Sequence, residues 1–186
     1  NADYSASMLV PYYGVNLDTF DFLWLGINSN PEAQAVGNDY WVNNGSRLLE
    51  ELPVTNSQVI NTWQRTISET PDGTAGYVVY QDCTYGEGVT GEQLYDAYFA
   101  FAQAAKELGD VAGRKLIWPS MGITPGWDYD YVQAVFTSSI TDYGKNWTNF
   151  WSGKAQEMPE WKALNDLGSE CENQRSFTIV PVKSAS

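Results

Sequence analysis

The sequence predicts an α+β domain, and three observations carry that prediction. Helix-like segments close the same way three times, "LLEELPV" at 48–54, "AAKELGDV" at 104–111 and "ALNDLGS" at 163–169. In each, a Pro or Gly directly follows the last leucine, and such residues stop helices. Each segment lies between two strand-like runs, so the chain reads as three βαβ units with boundaries at 20–67, 76–122 and 128–182. The strand-like runs alternate, which favours an antiparallel sheet with helices on one face. That is an α+β arrangement.

In order, "MLVPYYGVNL" fits none of the units, so residues 1–19 are expected to be an N-terminal arm or an edge strand. Residues 20–186 then form one domain. "FDFLWLGIN" at 20–28 and "QVINTWQRTI" at 58–67 are the strands of the first unit. "GYVVYQDCTY" at 76–85 and "RKLIWPSMG" at 114–122 flank the middle helix. That helix opens on a capping box, Thr90 with Gln93, and carries Leu94, Ala97, Tyr98, Phe101, Ala105 and Leu108 as one apolar stripe. In "DYVQAVFTSS" at 130–139, Val132, Ala134 and Phe136 share a face, and in "RSFTIVPV" Phe177 and Ile179 oppose Thr178 and Val180. Between these runs, Gly153 and Pro159 divide the third helical region into two consecutive helices, with "EWKALNDL" as the second.

A Trp-x-Asn cassette occurs in the first and third helical regions, as Trp41 with Asn43 and Trp147 with Asn149. Two readings stand. Either it marks the repeat and each Trp packs its helix onto the sheet, or Trp and Asn line a cavity between helices and sheet.

Composition narrows the chemistry. A net charge of −13 with only 10 basic residues in 186 gives no surface for nucleic acid or anionic lipid. No stretch approaches the roughly eighteen apolar residues of a membrane span. The chain has no histidine, which removes Ser-His-Asp catalysis, His-ligated metals and proximal-His haem. No nucleotide-binding glycine motif follows a strand, and no cofactor is expected. What remains for acid–base work is Asp82, with Glu87 in the following loop and Tyr80 as a polar partner. Asp128 and Asp130 are candidates for calcium. Fifteen per cent aromatics, with 8 Trp and 12 Tyr, supply both core and amphipathic binding surface.

The chain begins Asn1-Ala2-Asp3 with no initiator Met and no positive start, the pattern of an end left by signal-peptide removal. Export to the periplasm or the extracellular space is expected, and with it a bridge between Cys83 and Cys171; a cytosolic chain would keep two thiols.

With "YVVYQDCTY" and "RKLIWPSMG" as Trp- and Tyr-bearing strands around a helix, the chain resembles the ferredoxin-like dimeric α/β-barrel superfamily. That group includes antibiotic biosynthesis monooxygenase-type and NIPSNAP-type domains. The resemblance implies a sheet that curls against a partner and encloses a small cavity for an aromatic or apolar ligand. Its haem-degrading members need a histidine, which is absent here. The expected function is therefore binding of a small apolar ligand in a Trp/Tyr-lined cavity, with Trp24, Trp41, Asn43, Trp118, Trp147 and Asn149 as its lining. A cofactor-free oxygenase or isomerase using the carboxylates is the enzymatic alternative. A self-assembling surface subunit is the structural one, and a homo-oligomer is expected in either case.

Overall fold

All six strand-like runs form strands, and the N-terminal segment adds a seventh. The computed structural model describes every residue except 1–3, 15–19, 52, 54, 56–57, 124–125 and 185–186, and the side chains of 46, 48 and 49. Part of the N-terminal segment and part of the first helix's closing segment therefore lie outside the described residues. The order is β1 (Tyr4–Tyr13), β2 (Leu23–Asn28), α1 (Pro31–Glu50), β3 (Asn61–Ser68), β4 (Tyr77–Thr84), α2 (Gly91–Glu107) and β5 (Gly113–Met121). Then follow β6 (Tyr131–Thr137), α3 (Ile140–Trp151), α4 (Lys154–Glu157), α5 (Pro159–Asn165) and β7 (Glu170–Lys183).

The strands form one antiparallel sheet in the order β2-β1-β7-β4-β6-β5-β3. Two of the expected units, β4-α2-β5 and β6 to β7, interleave their strands as β7-β4-β6-β5, a split βαβ pair. The first unit behaves differently. Its strands β2 and β3 stand at opposite edges of the sheet, so three equivalent units are not what the sheet contains. The segment expected as an arm or edge strand is β1, second from the edge and hydrogen-bonded on both sides, with Ala6 and Leu9 buried. Period-two patterning specifies a strand and its buried face, but not its neighbour.

The sheet is curled. α1 begins directly after β2, and Gln34 Nε2 on its first turn donates to Asn61 Oδ1 at the start of β3, at 2.5 Å. One bond thus links the helix that follows one edge strand to the start of the other edge strand. The convex face carries the helices: Leu94, Tyr98, Phe101 and Ala105 of α2 pack on Ile67, Cys83, Leu116 and Tyr131, with Trp161 of α5 beside them. Burying one such Leu or Phe contributes about 1.5–3 kcal/mol. The capping box predicted for α2 is present, with Gln93 N donating to Thr90 Oγ1 and Thr90 N to Gln93 Oε1. The concave face has its own cluster of Leu9, Val78, Ala134, Phe136 and Phe177, on which Phe20 stacks.

Cys83 and Cys171 form a disulfide between directly paired positions of β4 and β7. α1 is the loosest element. Asn30 caps it and Pro31 starts it, but Gly37 and Gly45 weaken its interior. Its Val36, Tyr40, Trp41 and Val42 face solvent.

Candidate functional site

Residues paired in register point to the same side of a sheet, so the concave face can be read strand by strand. One row is Gly113, Phe136, Val78 and Phe177, an apolar floor. Gly113 is required there: a Cβ would stand 2.2 Å from the Phe136 ring. The next row is Thr66, Lys115, Ala134, Tyr80 and Arg175, from β3 to β7. The third is Gln64, Ile117, Val132 and Asp82. Inward residues on the central strands are covered, Phe177 at 0% and Ala134 at 3% exposed. Thr62, Gln64 and Thr66, inward on β3, are open to solvent. The face is a trough, filled over β6, β4 and β7 and open along β3.

Its polar wall is built by an irregularity. Between Tyr80 and Asp82 the register of β4 against β7 shifts by one residue, and Asn173 takes φ 51. Asn is among the residues that tolerate this left-handed region, and such a bulge re-aims side chains. As a result Arg175 Nη2 donates to Asp82 Oδ1 at 2.8 Å, and Asn173 Nδ2 donates to Asp82 Oδ2 at 3.4 Å and to the Tyr129 hydroxyl. Tyr80 packs against Phe177, and its hydroxyl has no hydrogen-bond partner among the described residues. Burial pushes the Tyr80 phenol up to about 12, with Arg175 opposing the shift. Lys115 lies 5.6 Å from the Phe136 ring centroid and forms no ion pair among the described residues. Burial lowers its pKa, opposed by Glu69.

The sequence-derived candidates are distributed over the molecule. Asp82 and Tyr80 share the trough, while Glu87 is exposed in the loop before α2 and joins neither. Both oxygens of Asp82 are engaged, one by Arg175 and one by Asn173. Trp118 faces the helices and donates to the Tyr85 hydroxyl at 2.6 Å. Trp24 is exposed on β2 and donates to the Tyr4 hydroxyl. Trp41 lies over Gly45 of its own helix, half exposed, and Asn43 bonds back to the Asp39 carbonyl. Neither cassette Trp is buried against the sheet: Trp147, 38% exposed, stacks on Trp151. Asp130 accepts from Tyr85 N at 2.8 Å, and Asp128 is exposed nearby. No group of three His, Cys, Asp or Glu that could hold a metal occurs among the described residues.

Asn149 does line a cavity, a cleft of about 430 Å³ between α2, α3 and α4. Much of its polar wall is occupied. Asn146 bonds Val111 N and Asp110, and Asp110 pairs with Arg114 at 2.5 Å. Its aromatic residues, Phe101 and Phe150, both pack on Trp161. The trough instead keeps, among the described residues, a hydroxyl without a hydrogen-bond partner and an ammonium outside any ion pair. Sequence reading missed Lys115, Arg175, Asn173 and Tyr129. The signal for Lys115 was present: alternation in "RKLIW" puts it beside Ile117, a cation on an otherwise apolar strand face.

No helix of the described residues is long and apolar enough to cross a membrane. No family model matches the chain, and no curated protein does. Among solved structures, one described as an anthrone oxidase-like protein is similar with a TM-score of 0.48 and 12% identity, covering 98% of this chain and 78% of that one. A likeness of that size does not establish a shared fold.

Proposed function

We propose that this protein binds a small aromatic or apolar ligand in the trough of its curled sheet. The observation that carries the reading is the Tyr80 hydroxyl, left without a partner above a floor of Phe136, Val78 and Phe177. Ligand sites are mostly apolar with a few placed polar groups, and the Tyr80 hydroxyl, on a half-buried side chain, is such a group with no protein partner among the described residues. Asp82 then orients Arg175 at the wall. Export accompanies this reading, since the Cys83–Cys171 bridge persists in oxidising compartments.

The test uses N-phenyl-1-naphthylamine, a neutral aromatic whose fluorescence rises in apolar surroundings, and the variant Thr66→Trp. Thr66 is exposed on the open side of the trough, so the indole should fold without strain and overhang the site. Micromolar binding by the parent protein, lost in Thr66→Trp, is expected. Equal binding by both would remove the trough as the site.

Self-association is a second reading, favoured by the solvent-facing Val36, Tyr40, Trp41 and Val42 of α1. Light scattering that shows a monomer at micromolar concentration would end it.

A further inference from the structure

We infer that the ligand of the trough is an aromatic anion, a carboxylate or sulfonate held by Lys115 with its ring against Tyr80. This rests on the trough reading above and adds a ligand class to it.

The chain has 10 basic residues against 23 acidic ones. Two of the ten, Lys115 and Arg175, stand in a single row of the concave face. Three strand spacings separate them, about 14 Å along the sheet at roughly 4.8 Å each. They are not equivalent. Arg175 is neutralised by Asp82 at 2.8 Å, whereas Lys115 has no carboxylate within ion-pair distance among the described residues. Glu69 acts on it from beyond ion-pair range, and beside it on the concave side are the Phe136 ring, Thr66 across the pair to β3 and Ala134 across the pair to β6.

Elsewhere the protein spends cations on carboxylates at close range: Arg65 on Glu92, Arg114 on Asp110, Lys145 on Asp142. A partly buried ammonium left over an aromatic ring carries a desolvation penalty that an incoming anion would relieve. Ala134, which lies between Lys115 and Tyr80 in that row, is covered at 3% exposure, so the ring is placed against the half-buried Lys115 and Tyr80 side chains that stand on either side of it. The Tyr80 hydroxyl then donates to a polar atom at the ring's far side. The acidic surface does not forbid this, because exposed charges beyond a Debye length of about 8 Å are largely screened at physiological salt.

Two probes that share a scaffold separate the anion claim from the trough claim: 8-anilinonaphthalene-1-sulfonate, which is anionic, and neutral N-phenyl-1-naphthylamine. Both are titrated by fluorescence into the parent protein, Lys115→Met, Lys115→Arg and Thr66→Trp. The expected result is tighter binding of the sulfonate than of the neutral probe. Lys115→Met should weaken the sulfonate at least tenfold while the neutral probe changes less than twofold, which also shows that the variant is folded. Lys115→Arg should restore the sulfonate to within about threefold, and Thr66→Trp should abolish both. If Thr66→Trp removes both probes but Lys115→Met weakens them equally or not at all, the anion inference is overturned and the trough stands. If Thr66→Trp leaves both unchanged, the trough reading fails and the inference falls with it.

Discussion

Replacing Asp82 by Ala should cost stability out of proportion to the atoms removed. Its side chain is 8% exposed, and its partner Arg175 is 27% exposed, at 2.8 Å. Removing one member of a fully buried pair leaves an uncompensated charge and costs about 3–5 kcal/mol. Arg175 keeps partial access to water and a second bond, from Nη1 to the Asn173 carbonyl, so about 2 kcal/mol is the better expectation after that discount. For a chain of this size that corresponds to a drop of about 4–8 °C in Tm. Arg175→Met should cost more, because it strands the carboxylate of Asp82, 8% exposed, with only a 3.4 Å bond from Asn173. The double variant should recover most of the loss, with a coupling of about 1–2 kcal/mol. Urea unfolding of the four proteins, followed by circular dichroism, closes the cycle. A coupling below 0.5 kcal/mol would show that the bulge at Asn173 does not hold the wall through this pair.

Three further outcomes are expected. Replacing both Cys83 and Cys171 by Ser opens a loop of 88 residues and should cost about 4 kcal/mol; two alkylatable thiols in native, non-reduced protein would contradict the bridge. Asp72 has its pKa lowered to about 2, first by the Thr74 backbone and then by Ser138, so it stabilises the fold above pH ~4 and loses that effect as pH falls towards 2. A carboxyl titration by NMR with a midpoint near 4 would refute this, and Asp72→Asn should remove that part of the acid response. Deleting residues 4–13 should abolish folding rather than loosen an oligomer, since β1 joins β2 to β7; a cooperative thermal transition in the deleted protein would oppose it.

Much of the fold was legible because it is local. The Thr90 cap, the stripe from Leu94 to Ala105 and the alternation through Val132, Ala134 and Phe136 are each set by neighbours a few residues away. The bridge was legible as the one pairing that two cysteines allow within the chain. Long-range pairing was not. Nothing in "FLWLGIN" or "NTWQRTI" states that β2 and β3 are the two edges of one sheet, because strand patterning encodes a face and not a neighbour. The wall of the trough was hidden for the same reason. Asp82 and Arg175 are 93 residues apart in sequence, and they meet because Arg175 pairs with Tyr80, two residues from Asp82 on the same face of β4. The Trp cassettes drew attention through their spacing, yet Trp41 and Trp147 lie on separate helices with their rings partly in solvent.

The central claim is that the concave face, and not the helical cleft, receives the ligand. Intermolecular NOEs between a bound naphthalene probe and the protein's methyl groups test it most directly. Contacts to Ala134, Val132 and Ile117 are predicted, all inward residues of the trough. Contacts confined to Leu108 and Ala155, which line the cleft between α2, α3 and α4, would contradict it.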